Sequence, residues 1–303
     1  MGKNIFVTGA TGYVGRNLVK TLTLRGHNIS TLHGDITDPI SLPRNINLIY
    51  HCAGVIKEKE KMEKVNVLGT KNIVETALAS DCPLIHLSSA GVIGDTDKLV
   101  LDEDTVCNPR NDYEISKYKA EMIVKDSIKR GLRAHILRPS VIFGLGKKAQ
   151  GDSFFELMKS MRNGRYKNIG KGICNIVHVD EVIKALVMLG ERDIPYGSTY
   201  LLSNHIPYKD MDKIIKSVEP AVEKRTRVVP YFIAFAAAAA MTLGGFLAHK
   251  KNPLTFSRLR ALTDERIYSQ EKIENILCFR NSCRVEEYLK RTCLEYIRAG
   301  LLS

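Results

Sequence analysis

The 303-residue chain has no tryptophan, and its 9 phenylalanines and 12 tyrosines make only 7% aromatic residues. That argues against an aromatic-rich surface for stacking sugars or single-stranded bases. No CxxC pair occurs among the seven cysteines, and none has a histidine at zinc-finger spacing. No metal site is therefore expected, and the cysteines read as free thiols of a reducing compartment. Acidic residues are the minority: 33 against 45 Lys and Arg, for a net charge of +12. The excess favours acidic partners such as nucleotides and sugar phosphates. It does not by itself make a nucleic-acid binder, because no groove-reading motif or basic cluster with interleaved aromatics is present. No apolar leader stands before Ile5-Phe6-Val7, and Phe6 occupies the place where a myristoylation motif requires Ser or Thr. A cytoplasmic location is the expectation.

What is present is an average globular composition, 44% hydrophobic and 26% charged, which excludes disordered and collagenous chains. The length suggests two folding units. Short apolar runs alternate with helical patterns through the N-terminal half, as in a parallel α/β sheet. Strands are expected at Ile5–Val7, Asn28–Leu32, Leu48–His51, Leu84–Leu87 and Ala134–Leu137. Helices are expected at Tyr13–Arg25, Val65–Ser80 and Tyr113–Arg130. Beyond Gly144 the pattern loosens into helices near Phe154–Met161, Val182–Leu189 and Asp210–Val218. A terminal amphipathic helix carries Val285, Leu289, Cys293 and Tyr296. The segmentation is residues 1–145 and 146–303, with a return to the first part near 173–190.

One stretch, Val228–Ala248, runs 21 residues without a charge. It has the length of a membrane span. Five consecutive alanines, Pro230, Gly244 and Gly245 weaken that reading, and basic residues flank both ends. A buried helix is the first expectation and a peripheral membrane contact the second.

The chemistry starts at Thr8-Gly9-Ala10-Thr11-Gly12-Tyr13-Val14-Gly15, which follows a strand and opens a helix. Gly9 suits a tight turn, Gly12 a close backbone approach to pyrophosphate, and Gly15 close helix–strand packing. Phosphates would then meet free N–H groups at a helix N-terminus. Further along, Tyr113 and Lys117 are four apart and share one helix face. A free tyrosine is too weak an acid to act near neutrality. A nearby ammonium would favour the phenolate and lower its pKa. Nothing in the sequence activates Cys52 or Cys107 as a nucleophile.

The ordered motifs resemble the extended short-chain dehydrogenase/reductase superfamily, its NAD-dependent epimerase/dehydratase group. They are TGATGYVG, His51-Cys52-Ala53-Gly54, Asn66-Val67-Leu68-Gly69-Thr70, Ser88-Ser89-Ala90-Gly91-Val92-Ile93-Gly94, Asp102-Glu103-Asp104, Tyr113-Glu114-Ile115-Ser116-Lys117, Arg138-Pro139 with Ile142-Phe143-Gly144, and His178-Val179-Asp180-Glu181. Together they cover residues 5 to about 185. The resemblance implies a Rossmann-type doubly wound sheet with a smaller mixed α/β substrate lobe. It implies NAD or NADP as cofactor, with Ser89, Tyr113 and Lys117 catalytic. The implied cofactor contacts are Gly9, Thr11, Gly12, Tyr13, Val14, Gly15, Asp35, Ile36, Cys52, Ala53, Gly54, Asn66, Tyr113, Lys117 and Pro139. A homodimer through the Tyr113 helix and the Val65–Ser80 helix is implied too.

The chain departs from that pattern in one place. Asp35, which resembles the family's adenine-contacting aspartate, comes only 26 positions after Gly9, about half the usual distance. The second-strand and helix region is shortened, and the acidic residue expected at the second strand's end goes with it. NAD cannot be told from NADP on this basis. A similar shortening occurs in the dTDP-4-dehydrorhamnose reductase branch.

The C-terminal lobe resembles nucleotide-sugar 4-ketoreductases and 4-epimerases at Asn252-Pro253-Leu254-Thr255, at Arg258–Thr263 and at Tyr296–Gly300. Arg258 and Arg260 are candidate clamps for a diphosphate. His178 is expected to order the structure rather than react. The expected function is 4-keto reduction or 4-epimerisation of a nucleotide sugar by hydride transfer. The alternatives are a membrane-associated 3β-hydroxysteroid or sterol dehydrogenase and a non-catalytic NAD(P)-binding protein.

Overall fold

A computed structural model describes residues 2–146, 153–163, 167–169, 171–218, 227–236, 259 and 262–301. In chain order the elements are β1 (Asn4–Thr8), α1 (Tyr13–Leu24), β2 (Asn28–Thr31), β3 (Leu48–His51), α2 (Lys59–Met62), α3 (Gly69–Ala79), β4 (Leu84–Leu87), β5 (Val100–Leu101), α4 (Asp112–Lys129) and β6 (Ala134–Pro139). They continue with β7 (Val141–Phe143), α5 (Ser153–Arg162), β8 (Lys167–Asn168), β9 (Ile173–His178), α6 (Val179–Glu191), β10 (Thr199–Leu202), β11 (Asn204–Pro207), α7 (Tyr208–Val218), α8 (Glu271–Leu277) and α9 (Val285–Arg298). A π-helical stretch, Glu63–Leu68, joins α2 to α3.

The chain divides into two compact units. The first holds Met1–Ser140, Val179–Ser203 and Tyr268–Asn281; the second holds Val141–His178, Asn204–Ile267 and Ser282–Ser303. The returning segment thus begins at Val179, and a second return, carrying α8, has no counterpart in the sequence pattern.

The first unit is built on a six-stranded sheet in the order β10-β6-β4-β3-β1-β2, with every pair parallel. Its strands read as continuous apolar runs because both faces are covered: Ile5, Phe6 and Val7 are buried. On one face α1 packs with α6; on the other, α3 packs with α4. Helix α1 buries Val14, Leu18 and Leu22 at four-residue intervals. It ends in a Schellman turn: Gly26, at φ +80, donates to Thr23 O, and His27 N donates to Leu22 O. A capping box of Asn111 and Glu114 starts α4.

The shortening is visible in the topology. From edge strand β2 the chain crosses to β3, on the far side of β1, without a helix or a further strand. Leu32, Ile40, Leu42 and Ile46 of that crossing pack on the core of Phe6, Ile49, Ile73 and Val74.

In the second unit β9 pairs antiparallel with β11 and parallel with β7. Phe143, Phe154, Met158, Met211, Leu289 and Tyr296 are among its core. The terminal helix buries Leu289, Cys293 and Tyr296, as its spacing predicts. His178 is buried, stacked on Tyr288 at 4.2 Å and edge-on to Phe143 at 5.2 Å. Of the Val228–Ala248 stretch, residues 231–236 are helical; residues 237–248 lie outside the described residues, as do Asn252–Thr255, Arg258 and Arg260. Among the described residues no helix is long and apolar enough to cross a membrane.

Candidate active site

The turn after β1 is shaped by atoms that leave no room for side chains. Gly9 has φ +69, and a Cβ there would lie 2.5 Å from Ala53 N. A Cβ on Gly15 would lie 2.2 Å from Gly9 O, and one on Gly12 3.1 Å from the same oxygen. Gly12 N donates to Gly9 O at 2.9 Å. Gly12 also caps α1 without a side-chain hydrogen bond, and the first turn of α1 carries no acidic residue. The helix N-terminus therefore keeps donors and positive potential for an anion. Beside it is a cleft of about 570 Å³, lined by Gly9, Thr11, Thr31, His33, Asp35 and Ala53 among others. That volume is in the range of small-molecule sites. A dinucleotide's phosphates fit this cradle: the glycines let the turn close against Ala53 and against itself, and the N-terminus of α1 is left facing the cleft.

Buried polar groups brace the turn. Thr8 Oγ1 lies 2.7 Å from His51 Nδ1, and His51 Nε2 lies 2.9 Å from Thr70 Oγ1. Thr70 donates to Asn66 O at 2.6 Å. Burial, with the Lys117 charge, pulls His51 down to about 3, so its ring is neutral. Asn66 accepts from Val55 N at 2.8 Å and donates to Val55 O at 3.0 Å and Ser116 Oγ at 2.9 Å. Its side chain holds the loop after β3 to α4. Ser116 in turn donates to Tyr113 O at 2.8 Å.

At the end of β4, Ser89 caps the short helical turn Ala90–Ile93 by accepting from Gly91 N at 3.1 Å. The Tyr113 hydroxyl faces the Ser89 side chain. One turn on, Lys117 is buried and donates to Leu87 O at 2.6 Å. Burial lowers the Lys117 pKa to about 8, opposed in part by the Glu121 carboxylate. The sequence expectation for Tyr113 is corrected here. Burial raises its pKa, the Ser89 side chain offsets this only in part, and Lys117 is not among the influences on it. The ammonium is engaged by the Leu87 carbonyl instead. Cys52 is pushed up to about 12 by burial, so its thiol is protonated near neutrality.

The remaining expected contacts fall in three places. Ile36 is buried against Gly69. Val14 is buried, and Tyr13 half-buried, in the first turn of α1. Gly54 approaches Asn66 Oδ1, and Pro139 pairs with Leu202 at the end of β6. Sequence reasoning missed the fully buried pair of Arg138 and Glu121. Arg138 Nε and Nη2 donate to the carboxylate at 2.9 and 2.5 Å, Ser88 Oγ donates to it at 2.7 Å, and Lys125 Nζ lies 2.8 Å away. The available signal was Glu121, four residues beyond Lys117 on the same helix face. Among the described residues no group of three or more His, Cys, Asp or Glu is placed to hold a metal ion.

A doubly wound parallel sheet with a glycine cradle at the carboxyl end of its first strand defines a dinucleotide-binding α/β protein. Comparison with known proteins makes this more specific. The model of the NAD dependent epimerase/dehydratase family matches residues 5–202, and the chain belongs to that family, an enzyme family that uses nicotinamide cofactors. It is 28% identical over 266 residues to a UDP-glucose 4-epimerase of Vibrio cholerae, covering 76% of this chain and 79% of that one. It is also 28% identical over 271 residues to 3beta-hydroxysteroid-dehydrogenase/decarboxylase isoform 1 of Arabidopsis thaliana, covering 81% and 61%. Its fold is that of the dTDP-glucose 4,6-dehydratase of Bacillus anthracis in complex with NAD, at a TM-score of 0.76, 17% identity and full coverage of both chains.

Proposed function

We propose that the protein is an NAD(P)-dependent oxidoreductase or epimerase of a nucleotide sugar, acting by 4-keto reduction or 4-epimerisation. The observation that carries the reading is the meeting of Ser89, after β4, with Tyr113 in the first turn of α4 and the buried Lys117 one helical turn beyond. Bound in this cleft, a nicotinamide would supply or receive the hydride. Tyr113 moves the proton at the substrate oxygen, and Ser89 holds that oxygen beside it. Lys117, anchored on Leu87 O, would hold the nicotinamide ribose. Gly9, Gly12 and Gly15 admit the pyrophosphate, while Ala53, Asp35 and Ile36 flank the adenosine. The family resemblance extends the reading to a homodimer through α3 and α4, and to residues 146–303 as the substrate part.

Tyr113→Phe tests it. The variant should bind nicotinamide cofactor like wild type yet turn over a UDP- or dTDP-4-keto sugar roughly 10²–10⁴-fold more slowly, the usual worth of positioned proton transfer. Normal turnover by the variant would remove Tyr113 from the mechanism. Cofactor binding without turnover by the wild type would favour a non-catalytic binding protein.

A second reading, a dehydrogenase of a sterol or other lipid alcohol at a membrane surface, is favoured by one observation. In the helix at 231–236, Phe232 is 71% exposed, and Tyr231, Ile233 and Phe235 are exposed as well. Under this reading the wild-type protein sediments with phosphatidylcholine/phosphatidylglycerol vesicles and Phe232→Ser does not. Recovery wholly in the supernatant would refute it.

A further inference from the structure

We infer that Glu114 is a positioning residue for the proton-transfer group: its carboxylate locks the first turn of α4 onto the Ser89 turn and, as a fixed negative charge beside Tyr113, helps keep that hydroxyl a proton donor. The inference rests on the reading that Tyr113 moves a proton at the substrate oxygen. Within Tyr113-Glu114-Ile115-Ser116-Lys117 the sequence pattern leaves Glu114 without a task; the geometry supplies one. A helix start leaves its first N–H groups without partners in the helix. Asn111 Oδ1 meets one of them, accepting from Glu114 N at 2.9 Å. Glu114 answers in the other direction: its Oε2 accepts from Arg110 N at 2.8 Å and from Asn111 N at 3.4 Å. These bonds pin the carboxylate at the N-terminal end of α4, where the helix itself favours negative charge. The stem of the same side chain leans on Gly91. A Cβ there would lie 3.3 Å from Glu114 Cγ and 3.3 Å from Ser89 Oγ. Glu114 and Ser89 thus meet across a residue with no side chain, and Tyr113, one position before Glu114, faces Ser89.

The other charges near the start of α4 are engaged elsewhere. Asp112 pairs with Lys59 at 3.0 Å, Arg110 with Asp95 at 3.5 Å, and Glu63 of the π-helical stretch with Lys119 at 3.0 Å. Lys117 is held on Leu87 O. His51 and His86, on β3 and β4, are kept neutral by burial. None of these is among the influences on the Tyr113 hydroxyl. Burial is the main influence and disfavours the phenolate, Ser89 opposes it, and the Glu114 charge adds to it. A hydroxyl kept protonated can give its proton to a substrate oxygen, as carbonyl reduction requires. Epimerisation at C4 first oxidises a sugar hydroxyl, and so first needs a proton acceptor at that place. The arrangement therefore favours the reductase form of the proposed function.

The test is NMR of protein carrying tyrosine labelled at Cζ, titrated with alkali in wild type, Glu114→Gln and Glu114→Ala. Tyr113→Phe identifies the Tyr113 signal among the 12 tyrosines by its absence. In wild type that signal should titrate above the ordinary tyrosine value. Glu114→Gln keeps a side chain able to close the capping box but removes the charge. Its Tyr113 should titrate at lower pH than in wild type, with the melting temperature unchanged. Glu114→Ala removes the brace as well and should melt about 2–4 °C lower, the worth of a lost helix cap in a protein of about this size. A Tyr113 titration unmoved in Glu114→Gln would overturn the electrostatic task, and Glu114→Ala as stable as wild type would overturn the brace. Neither result depends on turnover. Normal turnover by Tyr113→Phe would remove the proton-transfer reading while leaving both results standing, so the two failures are distinguishable.

Discussion

Gly9→Val should weaken nicotinamide-cofactor binding by about 100-fold or more, since strain of on the order of 3 kcal/mol is worth about that factor in affinity. Two causes act together. Gly9 has φ +69, a left-handed conformation that costs an L-residue roughly 1–2 kcal/mol and suits a β-branched one least. In addition, the new Cβ would sit 2.5 Å from Ala53 N and 2.7 Å from Cys52 C. Both contacts are backbone at the end of β3, so neither can rotate away. Relief requires β1 and β3 to part at the point where the cradle forms. Gly26→Ala is the control. It carries the same left-handed penalty, at φ +80, but its Cβ would meet nothing within 4 Å. It should lose a little stability and keep its affinity. Fluorescence titration of both variants, with circular dichroism to confirm folding, checks the contrast; similar affinities for the two would refute the role given to Gly9.

Arg138→Met should lower the melting temperature by on the order of 10 °C. Removing one partner of a buried ion pair costs about 3–5 kcal/mol, and in proteins of about this size 1 kcal/mol shifts Tm by roughly 2–4 °C. The site leaves no escape: Arg138 and Glu121 side chains are both 0% exposed. Burial alone would raise the Glu121 carboxyl. The hydrogen bonds and charge of Arg138, assisted by Lys125, overcome that and hold it at about 2, against an ordinary value of 4.5. A depressed carboxyl stabilises the fold fully above its unfolded value and loses that contribution as pH falls. The penalty of Arg138→Met should therefore be complete above pH 4.5 and shrink as pH drops toward 2. Glu121→Leu combined with Arg138→Met should recover much of the loss, since an apolar pair removes both desolvation costs. Scanning calorimetry across pH measures all three effects; a single variant as stable as wild type would show that the pair is not the brace described.

The parts of this protein legible in its sequence are those with a local cause. The run Ile5-Phe6-Val7, the Gly26 stop and the four-residue spacing of Val14, Leu18 and Leu22 each give an element directly. The helical start at Lys59 was not legible. Its sequence KEKMEK has no apolar period, and it is held mainly by Met62 and by Asn66 in the following π-helical stretch, the buried residues there. The glycine cradle was readable because each glycine answers a steric demand. The engagement of Lys117 by Leu87 O was not, because it depends on how α4 meets β4. Arg138 was hidden for a similar reason. Next to Pro139 it reads as a strand stop, and its partner is fixed only by tertiary packing. For the shortened segment, sequence spacing correctly indicates missing chain and the Asn28–Leu32 strand, but only the strand order shows that this strand ends as the border of the sheet.

That strand order has a consequence for self-association. Removing the helix and strand beyond β2 makes a parallel strand the border of the sheet, and a border strand offers unpaired N–H and C=O groups to any extended chain that passes. Here the border is four residues long, Asn28–Thr31, with two short polar side chains, Ser30 and Thr31, and an asparagine. A template so brief offers a passing strand few hydrogen bonds, and the chain leaves it at Leu32. The brevity of β2 thus limits how many hydrogen bonds the truncated sheet's border can offer to a neighbouring molecule.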